Sequence, residues 1–266
     1  MEPRFALQTF TIRKYLRSPE ALRDSLARVK ALGINTIELA RIKFTSRELD
    51  VVTSMLDGPG PAVECLQLKF DSMDADPGRT LRMLERLSCP AASVSVLPGS
   101  ALAGGRKGFL DFAARLNRLG SAFREGGRRL LFHHHHFEFL RFDGELGLDL
   151  LVRETDPELV GFVVDTYWAQ RGGANPAGLI NKLAGRVGGA HLRDYAIKPA
   201  LRNLVPDLLP ADAAVGEGNL DIPSVVDACR ATGVRYLAIE QDARDPFGNL
   251  STSVRNLMTL GYGSLF

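Results

Sequence analysis

All five histidines of the chain fall at two places, four of them in the run Phe132-His-His-His-His-Phe-Glu-Phe139 and the fifth at His191. The run is too short and too internal to be a purification tag. On an extended strand His133 and His135 share one face and His134 and His136 the other, so at most one pair faces a common site, and periodicity alone does not say which. Asp165, His191 and Glu240 each close an apolar run: Gly-Phe-Val-Val, Gly-Gly-Ala and Leu-Ala-Ile. An acid or imidazole at the end of a buried strand is expensive unless it is paired or ligated. Two or three carboxylates with an imidazole suit a hard or borderline divalent ion, Mn2+, Zn2+, Mg2+ or Co2+, with coordination positions left for substrate oxygens. The bland alternative is an internal Asp–His–Glu hydrogen-bond network without metal.

Such residues need strands to aim them. Short β-branched or apolar runs alternate with amphipathic segments along the whole chain, the pattern of repeated βα units around a parallel sheet. Eight strands are predicted, at Phe5–Gln8, Thr36–Leu39, Val63–Lys69, Ser93–Leu97, Arg129–His135, Val160–Asp165, Gly188–Leu192 and Tyr236–Glu240. Their number and spacing predict an α/β fold, a (β/α)8 TIM barrel, rather than a doubly wound sheet, and 266 residues is close to the roughly 250 of such a barrel. No linker or low-complexity tract divides residues 1–266, so one domain is expected. Gln8, Glu38, Lys69, His133 to His136, Asp165, His191 and Glu240 gather at the predicted carboxyl ends, where a barrel carries its active site. Ser18 and Asp221 read as N-caps, each with a proline in the following first turn, and Gly33 and Gly233 as helix stops.

Composition narrows the class. With 45% hydrophobic and 24% charged residues and no apolar run of about 18 or more, nothing predicts a membrane span. Polar residues interrupt the first apolar stretch too early for a signal peptide, which places the expected protein in the cytoplasm. Cys65, Cys89 and Cys229 are odd in number and widely spaced, the pattern of buried thiols rather than a disulfide framework. A net charge of +2 gives no global field for nucleic acid.

In order along the chain, five segments resemble the xylose isomerase-like sugar phosphate isomerase/epimerase superfamily. Phe132-His-His-His-His-Phe-Glu-Phe139 resembles its aromatic-His-Asn-His-x-x-Glu-Phe motif, Val163-Val-Asp-Thr-Tyr-Trp168 its Asp-x-Tyr-Trp motif, and His191-Leu-Arg-Asp194 its His-Leu-Lys-Asp motif. Gly216-Glu-Gly-Asn-Leu-Asp221 resembles the loop before the seventh helix, and Ala238-Ile-Glu240 the closing strand. The resemblance implies a TIM barrel holding one divalent ion through Glu138, Asp165, His191 and Glu240, with His133 or His135 able to assist or replace Glu138. It also implies that Gln8, Arg13 and Glu38 approach substrate. His134 stands where the motif has Asn, and Arg193 where Lys is common. An arginine there clamps an anion but is a poor base, which moves proton transfer toward Glu138, Glu240, His133 and His135.

The implied reaction removes a proton next to a carbonyl through a metal-stabilised enediolate. Its substrate would be a small sugar or polyol, and its outcome isomerisation or epimerisation. A lyase, either a dehydratase or a keto-glycoside-cleaving enzyme, is the alternative, and a non-catalytic barrel acting as a homo-oligomer or enzyme-complex subunit is a third reading. Trp168 with Tyr167 is the expected apolar wall for the sugar, with Phe44, Phe70 and Phe137 as further candidates. Lys43, Lys69, Arg193 and Lys198 are candidates for binding a phosphate or carboxylate, or are simply solvated.

Overall fold

The computed structural model describes residues 2–56, 62–202 and 205–266. Eight parallel strands close into one barrel: β1 (Arg4–Gln8), β2 (Thr36–Leu39), β3 (Ala62–Leu68), β4 (Ala91–Val94), β5 (Arg129–His133), β6 (Val160–Asp165), β7 (Val187–Leu192) and β8 (Tyr236–Ile239). Neighbours in sequence are neighbours in the ring, and β8 returns to β1 with Leu237 opposite Phe5 and Ile239 opposite Leu7. The predicted (β/α)8 barrel is therefore the fold observed.

Most strand boundaries fall within one residue of expectation, and two strands end two or three residues early. β4 stops at Val94, and its last pairing, with Leu68 of β3, is closed by the Ser95 N–H donating to the Leu68 carbonyl at 2.8 Å. β5 stops at His133 because the chain bends into the short 3-10 turn Phe137–Phe139. A long antiparallel hairpin, Asp194–Arg202 with Val205–Ala213, follows β7 and was not anticipated. A helical reading of the segment after β7 misses it because the hairpin is an insertion into the βα pattern rather than part of it.

Helices pack on the barrel through apolar stripes of the expected period. In Pro19–Ala31 the Ser18 hydroxyl accepts the Ala21 N–H at 3.2 Å, Pro19 occupies the first turn, and Leu22, Leu26 and Val29 are buried at helical spacing. Burial of each such side chain contributes about 1.5–3 kcal/mol. Gly105–Glu125 buries Phe109, Phe112 and Phe123, and the Phe112 ring meets Phe70 and Phe132 edge-on at 5.0 and 5.5 Å. Inside the ring the filling is small (Ala6, Cys65, Ala91, Leu131, Val163 and Ala238) except for Tyr236. Gly189 makes room for that phenol, since a Cβ there would fall 2.3 Å from its ring. All three cysteines are free and buried. No helix among the described residues is long and apolar enough to cross a membrane.

Candidate metal centre and substrate cavity

The carboxyl ends of β5 to β8 bring His133, Asp165, His191 and Glu240 together, with one ligand atom of each within 4.8 Å of all the others and every residue buried. Each strand-end side chain commits part of itself to the scaffold and leaves an atom facing the others. Asp165 caps the helix Thr166–Arg171, its Oδ1 accepting the Trp168 N–H at 2.9 Å, while Oδ2 lies 3.5 Å from His133 Nε2 and 3.8 Å from His191 Nδ1. His133 Nδ1 sits 3.2 Å from the Ser95 carbonyl. A carbonyl only accepts, so this nitrogen carries the proton and Nε2 keeps its lone pair. His191 Nε2 donates to Glu38 Oε2 at 3.1 Å, which leaves Nδ1, 3.0 Å from Glu240 Oε2, as the nitrogen whose proton a metal ion would displace.

His133 Nε2, Asp165 Oδ2 and His191 Nδ1 are buried without a hydrogen-bond partner among the described residues. Each buried, unsatisfied polar atom costs roughly 1–3 kcal/mol, and three pointing at one spot are relieved together by a cation. Two imidazole nitrogens and two carboxylates fit a divalent metal of the borderline class. Burial pushes the His191 imidazole down, but Glu38, Asp165 and Glu240 outweigh it and hold the ring well above its ordinary value. Burial pushes Asp165 up, and His133, His191 and Arg193 overcome this to hold its carboxyl well below the usual range.

Gln8 and Glu38, expected at the substrate, instead form the support beneath His191. Both are fully buried, and neither lines the cavity described below. Glu38 Oε1 accepts from Gln8 Nε2 at 2.9 Å and from Ser93 Oγ at 3.4 Å, and its Oε2 accepts from Tyr236 Oη at 2.7 Å as well as from His191. The correction has a geometric reason: these side chains cross the barrel interior one layer below its mouth. Burial raises the Glu38 carboxyl, yet the His191 and Tyr236 hydrogen bonds leave it lowered.

Of the two alternatives for the first position, His133 and not Glu138 lies with Asp165, His191 and Glu240 in this group. The bend after β5 turns Glu138 back so that its Oε2 accepts the His135 N–H at 2.8 Å, and burial pushes its pKa up to about 7. His133 and His135 are the pair that faces the site. His134 is structural: Nε2 accepts the Asp165 N–H at 3.3 Å, Nδ1 donates to the His135 carbonyl at 3.1 Å, and burial pushes its pKa down to about 4. His136 stacks on Trp168 with ring centroids 5.0 Å apart.

Above the group opens a cavity of about 750 Å3, whose wall includes His133, His135, Trp168, Arg193 and Glu240. Trp168 packs against His135 at 5.0 Å, and its Nε1 is buried without a partner among the described residues. Arg193 Nε donates to Asp212 Oδ1 at 3.2 Å, Nη1 is 3.5 Å from Glu240 Oε1, and the guanidinium lies 5.2 Å from the Trp168 ring centre. Of the other expected contacts, Phe44, Lys43 and Lys69 line the cavity. Arg13 is paired with Asp242 at 2.7 Å, Phe70 is in the core, Phe137 lies against His136, and Lys198 is exposed on the hairpin. Sequence reasoning missed Arg41 and Gln67 on the cavity wall and Ser93, Tyr236 and Asp212 in the supporting bonds. Only Tyr236, at the start of an otherwise apolar strand, carried a signal.

No protein-family model matches the chain. An inosose dehydratase of Geobacillus thermodenitrificans is 30% identical over 138 residues, 49% of this chain and 46% of that protein. Another from Clostridium beijerinckii is 30% identical over 114 residues, 43% and 37% of the two chains. The match thus spans about half the length, or less, of the curated relatives. Among solved structures, a sugar phosphate isomerase/epimerase of Parabacteroides distasonis superposes with a TM-score of 0.77 at 18% identity, covering 98% of this chain and 96% of that one. An L-ribulose 3-epimerase gives 0.72 at 17%, over 99% and 95%. A xylose isomerase-like TIM barrel protein of Mycobacterium smegmatis in complex with magnesium gives 0.71 at 12%, over 99% and 98%. The chain has the xylose isomerase-like TIM-barrel fold, so the resemblance carried by its motifs is borne out at the level of the fold.

Proposed function

We propose that the protein is a divalent-metal-dependent enzyme that removes the proton next to the carbonyl of a sugar-like or polyol-derived compound, as a sugar isomerase or epimerase. The observation that carries this reading is the convergence of three buried, unpartnered ligand atoms with Glu240 at the floor of an open cavity. His133, Asp165, His191 and Glu240 would hold the ion, and Mn2+, Zn2+, Mg2+ or Co2+ bound there would act as a Lewis acid that acidifies the substrate C–H beside its oxygens.

Glu240 is the one carboxylate among the described residues lining the cavity. One of its oxygens faces His191 and the other Arg193, and it is the group assigned to accept the proton. Arg193 stays cationic and steadies the negative oxygen that develops as the C–H bond breaks. Burial pushes the pKa of His135 down to about 2, so its imidazole stays neutral at physiological pH and would hydrogen-bond a substrate oxygen rather than carry a proton. Trp168 supplies an apolar wall. Because Glu138 is not among the described residues lining the cavity, proton transfer falls to Glu240.

The inosose dehydratase relatives favour a second reading on the same site. After the same first step, the proton held by Glu240 would pass to a β-hydroxyl that leaves as water. One experiment serves both readings: a panel of ketoses and keto-inositols is incubated in deuterated solvent, with exchange and product followed by NMR. Exchange with a ketose or epimer product supports the first reading, an unsaturated product supports the second, and absence of α-exchange on every carbonyl substrate overturns both. Glu240→Gln is expected to lower exchange by about 10²–10⁴-fold, the scale of general-base removal, with metal content measured alongside. Wild-type exchange in Glu240→Gln would remove Glu240 from the role.

A further inference from the structure

We propose that the compound bound in this cavity carries an anionic group, a carboxylate or a phosphate, at the end away from the metal centre, where Arg41, Lys43 and Lys69 receive it. This inference rests on the hydroxy-carbonyl reading above and specifies its substrate class. The metal-binding group comes from β5 to β8. Arg41 and Lys43 follow β2 and Lys69 follows β3, strands that lie across the eight-membered ring from β6 and β7. A ligand spanning the cavity therefore meets the metal at one end and these three cations at the other.

The cations are free to bind. Among the described residues none of the three side chains makes an ion pair or a hydrogen bond, whereas Arg193 is already engaged by Asp212 and Glu240. Acids on the neighbouring segments are turned to other work. Asp74 and Asp71 face Arg115 at 2.6 and 3.7 Å, Asp242 faces Arg13, and Glu48 accepts the Thr45 N–H and hydroxyl, each at 3.0 Å. Gln67 adds another unused donor on this wall, its Nε2 buried without a partner among the described residues. This side of the cavity thus presents guanidinium, ammonium and amide N–H groups, the complement of an anionic oxygen.

The loop that carries two of the cations is held in a costly backbone. Arg41 and Phe44 have φ of 62° and 53°, left-handed values that residues other than Gly, Asn and Asp rarely adopt. They flank Lys43 in one short turn, anchored by the buried Ile42. Such strain persists where the surroundings over-determine the conformation, typically at ligand clamps. Here it turns Arg41, Lys43 and Phe44 onto the cavity wall.

Trp168 is the single tryptophan of the chain and lines the cavity, so its emission reports occupancy. The protein loaded with Mg2+ is titrated with D-fructose, 2-keto-D-gluconate and D-fructose 6-phosphate: neutral, carboxylate and phosphate probes. At least one anion is expected to bind about tenfold or more tightly than fructose, equivalent to about 1.4 kcal/mol and within reach of a single charge-assisted hydrogen bond. Added salt should weaken it. The anion that gains identifies the group. The double substitution Lys43→Met with Lys69→Met should abolish most of that gain while fructose affinity and metal content hold. Equal affinity for all three probes, an anion preference untouched by the double substitution, or no emission change with any probe overturns the inference. Proton exchange separates it from the underlying reading. If α-exchange proceeds and the anions gain nothing, only the anionic end falls; if an anion binds tightly through the two lysines and no carbonyl substrate exchanges, the anion site stands and the enediolate chemistry falls.

Discussion

At the residue scale, the most consequential side chain is one that never touches the cavity. Glu38 fixes which nitrogen of His191 carries its proton and hence which one is free for a cation, and supporting partners of this kind are worth about 10–100-fold in metal affinity. Glu38→Gln should weaken binding of Zn2+ or Mn2+ by that factor, read by calorimetric titration, while the protein stays folded; unchanged affinity would show that Glu38 is only packing. Glu138 makes a different prediction. Its folded pKa of about 7 lies above its ordinary value, so the fold favours the protonated acid. The stability this contributes is present below the unfolded pKa, near 4.5, and is lost as pH rises through about 7. Urea titrations should therefore show wild type losing on the order of 3 kcal/mol relative to Glu138→Gln between those pH values. Parallel pH profiles for the two proteins would show that the carboxyl is not held protonated.

At the scale of elements, the segment after β7 is organised by one carboxylate. Asp194 accepts the N–H groups of Gly216, Gly218 and Leu220 at 3.0–3.2 Å and that of Tyr195 at 2.8 Å. It thereby ties the base of the hairpin to the loop ahead of the helix Ile222–Thr232. Gly218 is required by this closeness, since a Cβ there would lie 2.1 Å from Asp194 Oδ1. Asp194→Ala removes four hydrogen bonds from part-buried N–H groups at once and should lower unfolding stability by about 2–4 kcal/mol in chemical denaturation. A loss below about 0.5 kcal/mol would show that the loop is held by other contacts. The two motifs that meet here, His191-Leu-Arg-Asp194 and Gly216–Asp221, were legible in the sequence as separate segments, but their contact was not, because the hairpin between them interrupts the βα alternation.

For the whole molecule, the four residues assigned to the ion come from half of the barrel strands, so an ion bound there ties the ring together only when it is folded. At a thousandfold excess over its Kd such an ion stabilises by about 4 kcal/mol. Zn2+ or Mn2+ should raise Tm by at least about 5 °C, chelation should reverse the rise, and Asp165→Ala should abolish it. A Tm indifferent to metal in wild type would count against the centre. Strand period, the strand-end acids and imidazole, the N-caps at Ser18 and Asp221 and the buried cysteines all follow from local pattern, and the sequence by itself determined them, together with the barrel and with Asp165, His191 and Glu240 as strand-end residues. Only the tertiary structure decided that His133 and not Glu138 joins them, because the bend after β5 is set by how the residues past the strand pack. It likewise moved Gln8 and Glu38 from the cavity to the layer beneath it. Which layer of a barrel a side chain enters depends on strand tilt and on the space left by neighbours such as Gly189, and neither is written in the local spacing of the chain.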